Sequence, residues 1–279
     1  MRMLSVSLCS LVCTLALNGC SAPTRLPSME LGAWTQTIQT VPMPAFVLLG
    51  EQHDAPAHQQ WQQATVQTLI ARQQLAAVVL EMADQGHSTE GLPRYASDSE
   101  VQQALQWNEQ GWPWQHYGPT VMTAVRAGVP VVDGNLPRAQ MPAVMQQTAW
   151  DTHLPAAAWE RQREAIRNGH CDLLPERQIT PMARIQLAKD ARIAQTMLAH
   201  AQPNKTVLLI AGRGHVLRSV GVPTWLPADV STTIAIAQAG EQAPTALADN
   251  DHVVRTPAIP ATDHCAALRA QWGASSKNK

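Results

Sequence analysis

The sequence predicts an α/β fold: a mostly parallel sheet with flanking helices and an inserted helical subdomain. Three observations predict it. Five short, β-branched-rich runs, at 45–49, 76–80, 129–132, 206–211 and 232–237, are apolar on both faces, as strands of a covered parallel sheet must be. Helical patterns lie between them, at 56–74 and 182–200, and strands alternating with helices specify right-handed crossovers. At 45% hydrophobic and 15% charged, the 279 residues can bury a real core.

Along the chain, residues 1–19 read as a secretory signal. Arg2 is its positive region, 4–17 its apolar region, and small residues lead to Cys20. The ending Leu17-Asn18-Gly19-Cys20 fits a bacterial lipobox, in which Cys20 is lipidated and becomes the new N-terminus. Ser21 after it favours passage to the outer membrane. Residues 20–32 are then the lipidated N-terminus and a tether, and 33–270 a single α/β domain. Two stretches, around 86–127 and 138–200, are too long for simple crossovers and form the helical insertion. The polar tail 271–279 is expected to be disordered. Once the signal is removed and Cys20 carries lipid, only Cys171 and Cys265 remain, and an oxidising compartment favours their disulfide.

A net charge of −1 removes the electrostatic footprint of a nucleic-acid binder. Ligands of parallel sheets bind beyond the carboxyl ends of the strands, so the residues after each strand carry the functional signal. They read Gly50-Glu51-Gln52-His53-Asp54, then Glu81-Met82, then Asp133-Gly134-Asn135, then Gly212-Arg213-Gly214-His215. Two Gly-x-x-His turns and a carboxylate thus fall on one rim. His53, Glu81 and His215 are candidates to bind a divalent metal or to act as acid and base on a water. Asp54, His58, Gln186 and Asp190 lie at spacings that reach the same rim. A second feature is aromatic. The chain has nine Trp, two Tyr and one Phe, and Trp107, Trp112, Trp114 and Tyr117 cluster within the insertion. That cluster is either subdomain core or a wall for a flat ligand. A tyrosinate, Tyr117 ahead of Tyr95, can ligate ferric haem iron. Arg94, Arg138 and Arg213 can pair with propionates.

With these motifs, namely Leu48-Leu49-Gly50-Glu51-Gln52-His53-Asp54, Glu81-Met82, Gly111-Trp112-Pro113-Trp114 with Tyr117, Asn135-Leu136-Pro137-Arg138 and Ala211-Gly212-Arg213-Gly214-His215, the chain resembles the ChaN-type haem-binding, iron-regulated lipoproteins of Gram-negative bacteria. The resemblance runs over about 45–226. It implies haem held through a tyrosine, in a homodimer around a cofacial pair, in an outer-membrane-anchored protein serving haem or iron uptake beside an outer-membrane haem receptor. His53, Trp114, Arg138 and His215 join Tyr117 and Tyr95 as candidate haem contacts. The same skeleton also resembles a wider superfamily of erythromycin esterases and Tiki/TraB-type metalloproteases. That keeps open a periplasmic hydrolase working through His53, Glu81 and His215, with or without a divalent metal.

Overall fold

The computed structural model describes residues 28–40, 42, 44–241 and 249–276. Seven strands form one sheet in the order β1-β7-β6-β2-β5-β3-β4, every neighbour parallel. The strands are β1 (Ser28–Glu30), β2 (Phe46–Glu51), β3 (Leu75–Asp84), β4 (Val131–Asn135), β5 (Thr206–Gly212), β6 (Thr232–Ala239) and β7 (His252–Thr256). Nine helices are described: α1 (Leu31–Thr40), α2 (Pro56–Ala71), α3 (Asp98–Ala104), α4 (Trp114–Ala127), α5 (Met141–Gln146), α6 (Ala156–Gly169), α7 (Glu176–Ala199), α8 (Arg213–Val216) and α9 (His264–Ser276).

Burial on both faces explains why the central strands lack alternation. Val47, Leu49, Val78, Leu80, Leu208 and Ile210 face a core shared with Trp34, Trp61, Val66 and Tyr117 from α1, α2 and α4. Their neighbours Phe46, Leu48, Val79, Val207 and Leu209 face the other way, onto Ile193, Ala194 and Met197 of α7. Gly128 ends α4 in the left-handed conformation (φ 75°), the usual helix stop before a strand.

All five expected strands are present. Two more, β1 and β7, pair with each other at the edge. β1 is only three residues long, and β7 (His252-Val253-Val254-Arg255-Thr256) carries polar residues at three of its five positions, so neither stands out as an apolar run. β1 and the first residues of α1 occupy the end of the stretch expected to be tether. α9 likewise runs to Ser276, into the expected tail. Cys171, in the turn between α6 and α7, is bonded to Cys265 of α9, with Cα atoms 5.6 Å apart. No described helix is long and apolar enough to cross a membrane. The signal segment and Cys20 lie outside the described residues.

Candidate functional site

Strand order builds the site. β5 lies between β2 and β3, so three segments far apart in sequence end side by side: Glu51 and His53 from β2, Glu81 from β3, and Gly212 to His215 from β5. Two glycines permit the crowding. A Cβ on Gly50 would lie 2.5 Å from the Val216 side chain. One on Gly212 would lie 2.9 Å from His53 Nε2 and 3.4 Å from a Glu81 oxygen. Gly50 thus makes room for the aliphatic side chains and backbone of α8 and β6, and Gly212 for the rim imidazole and carboxylate.

Imidazoles and carboxylates alternate across the rim. Asp190 Oδ1 lies 2.5 Å from His215 Nδ1, and His215 Nε2 lies 3.1 Å from Glu81 Oε1. The other Glu81 oxygen accepts the Gly212 N–H at 2.7 Å and stands 3.9 Å from His53 Nε2. His53 Nδ1 meets Glu51 Oε1 at 2.8 Å, and the Tyr117 hydroxyl donates to the same oxygen at 2.8 Å. Gln59 and Gln62 donate to Glu51 Oε2 at 3.2 and 2.6 Å. Glu51, Glu81, Asp190 and His215 are all buried, whereas the His53 side chain is 37% exposed. His53 is therefore the end of the array that solvent reaches. Its ring packs edge-on against Trp112, with centroids 4.7 Å apart.

The electrostatics follow from this geometry. Burial works against charge on His215, but Glu81 and Asp190 on either side outweigh it and raise its pKa to about 10. Burial raises the Glu81 carboxyl, yet the His215 charge and hydrogen bond, with the His53 charge, win and hold it well below the usual carboxylate range. Burial raises Asp190. His53 is raised as well: burial opposes, and the Glu51 hydrogen bond with the Glu81 and Glu51 charges prevails. Burial, then the Glu51 charge and hydrogen bond, push the Tyr117 phenol far up, so it stays a donor.

Not every expected rim residue belongs to it. Gln186 and Asp190 do, since the Gln186 amide lies 3.0 and 3.1 Å from the two His215 nitrogens. His58 does not. It accepts the Gln52 N–H, contacts the Thr256 hydroxyl, and burial lowers its pKa to about 4, so it is a neutral strut. Asp54 is exposed. Asp133 turns to α7 and accepts from Arg192 and Thr196 at 2.6 and 3.0 Å. Among the described residues no group of three or more His, Cys, Asp or Glu is arranged to hold a metal ion. Both His215 nitrogens face carboxylates, so neither presents a lone pair to a cation.

The aromatic cluster is wall and core together. Trp107 and Trp112 flank Tyr117, whose ring is buried at 2% exposure. Trp114 lies along Gly118, and its indole N–H donates to Asp98 at 2.8 Å. Tyr95 is the opposite case. It sits in the loop between β3 and α3 with 88% of its surface exposed, beside Arg94, which is also exposed. Arg138 is exposed just beyond β4. The two tyrosines thus differ in what their oxygens meet: the Tyr117 hydroxyl is committed to the buried Glu51 carboxylate, and the Tyr95 side chain is exposed. Sequence reasoning missed Glu51, Gln59 and Gln62 as site residues. The signal was there: a Glu two residues before the rim histidine, and two Gln three apart on one face of α2.

The model of a haem-binding uptake family, described as Tiki superfamily, ChaN, matches residues 38–226. The chain belongs to that family. No curated protein matches it. A solved structure of cofacial haem binding to ChaN of Campylobacter jejuni is similar, with a TM-score of 0.65 and 21% identity over 81% of this chain and 94% of that one. Its likeness supports the α/β fold. The type III effector HopBA1 overlays with a TM-score of 0.48 at 14% identity, over 87% of this chain and 100% of that one, too weak to bear on function.

Proposed function

We propose that this chain, as a member of the haem-binding ChaN family, binds ferric haem through Tyr95 and serves haem or iron uptake at the cell envelope. The observation that carries the choice of ligand is the contrast between its two tyrosines. A phenol must lose its proton to bond ferric iron. Tyr117 is held protonated against Glu51 in the core, while Tyr95 stands 88% exposed. Arg94, exposed next to Tyr95, suits a haem propionate. An exposed site covers one face of a porphyrin, so a second copy of the chain stacking its own haem against the first would shield the other face. The ChaN structure of Campylobacter jejuni, with haem bound cofacially, supports that arrangement. Cys20 as a lipid anchor would hold the protein at the outer membrane, within reach of a haem receptor.

The reading is tested by titrating the purified chain with hemin and following the Soret band. Saturable binding is expected for the parent chain, with severe weakening in Tyr95→Phe. A Tyr95→Phe variant that binds hemin like the parent removes Tyr95 from the account.

A further inference from the structure

The helical insertion encloses a cleft of about 440 Å³ whose described wall includes neither tyrosine. It lies between α6, Gln186 of α7 and residues 214–220, and Asp249 closes one side. Its size is that of a small-molecule site. Ala165, Ile166, Leu217 and Val220 give it an apolar lining. Within that lining, polar groups lack the partners that burial calls for. Gln162 is only 5% exposed, and its amide makes no hydrogen bond among the described residues. The Ser219 hydroxyl is buried without a partner as well. Asp249 is 5% exposed. Its Oδ1 accepts the Ser219 N–H at 3.0 Å, but Oδ2 stands 3.9 Å from Arg161, beyond a hydrogen bond. A buried amide left unpaired costs stability until a ligand or water pairs it.

We infer that this cleft binds a small, neutral primary carboxamide carrying an aliphatic chain. The head follows from the unpaired groups. An amide offers one acceptor and two donors, so the Gln162 amide and a ligand amide complement each other in both directions. The second N–H of the ligand then has the Asp249 Oδ2 acceptor. The chain lies on Ile166, Leu217 and Val220. Neutrality follows from the charges. The wall carries one cation, Arg161, and two carboxylates, Glu164 and Asp249. Arg161 already faces Asp249, and Glu164 pairs with Arg167 at 3.0 Å. A carboxylate head would add to the excess of negative charge. An ammonium head would have to compete with Arg161 for Asp249. A neutral amide does neither.

The test uses the full haem-free chain, and none of its variants alters Tyr95, so its outcome stands apart from the haem reading. Hexanamide, hexanoate and hexylammonium share one chain length and differ in the charge of the head. Ligand-detected NMR titrations give a Kd for each. Hexanamide should bind saturably and about tenfold or more tighter than either ion. Gln162→Leu keeps a side chain of similar size and should weaken hexanamide about tenfold. Its urea midpoint should stay at or above that of the parent, because the lost amide had no partner in the fold. Ala165→Trp, at an exposed position of α6 in the wall, should block the cleft and abolish binding while the chain stays folded by circular dichroism. No saturable binding, an ion bound as tightly as the amide, parental hexanamide affinity in either folded variant, or a lowered midpoint in Gln162→Leu overturns the inference.

Discussion

The rim and the Tyr95 loop handle polar side chains in opposite ways. In the rim, buried ionisable groups lie against one another in series, Asp190 on His215 on Glu81, and Tyr117 on Glu51, with the part-exposed His53 between the two runs. In the loop, Tyr95 and Arg94 are exposed, and no hydrogen bond to the phenol is made among the described residues. The difference teaches where each kind of function can reside. A group saturated by buried partners has its protonation state fixed by the protein. A free surface phenol suits capture of a large ligand brought from outside, whose second face something else must cover.

The comparison breaks most visibly if the charges of the rim are not interdependent. His215→Ala leaves Glu81 and Asp190 buried without their shared cation, and should cost about 3–5 kcal/mol in denaturant unfolding. A loss below about 1 kcal/mol would mean that the array is not electrostatically coupled. Titration probes the same coupling without mutation. The His215 pKa rises from 6.5 to about 10 on folding, so its stabilisation is complete below pH 6.5 and is lost as pH rises toward 10. Thermal scans across that window should show a falling Tm, with a flatter profile in His215→Asn.

The tyrosines sharpen the contrast at smaller magnitude. Tyr117→Phe removes one donor to a buried carboxylate and should destabilise by about 1–3 kcal/mol. Tyr95→Phe changes an exposed ring and should stay within about 0.5 kcal/mol. Equal costs for the two would erase the distinction between core and surface phenol.

Much of this was legible in the sequence. The five strands were readable as doubly apolar runs, and Gly-x-x-His at the ends of β2 and β5 marked the rim because such turns must leave a strand tightly. What could not be read was strand order. Only the insertion of β5 between β2 and β3 shows that Glu81 reaches both histidines. The surroundings of Tyr117 were hidden for a related reason. Its tryptophan neighbours were visible in the sequence, but those same neighbours bury it, and Glu51, its acceptor, lies 66 residues away. Nothing local distinguishes a ring that lines a pocket from one that fills a core. Asp133 likewise resembled a rim carboxylate until α7 brought Arg192 and Thr196 onto it.

The central claim is that the exposed phenol, and not the buried one, meets the iron. Resonance Raman spectra of the hemin-loaded chain, excited in the tyrosinate-to-iron charge-transfer band, read the iron–phenolate bond itself. Iron–phenolate modes present in the parent and in Tyr117→Phe, and absent from Tyr95→Phe, are the predicted result. Modes that persist in Tyr95→Phe and vanish in Tyr117→Phe would contradict it.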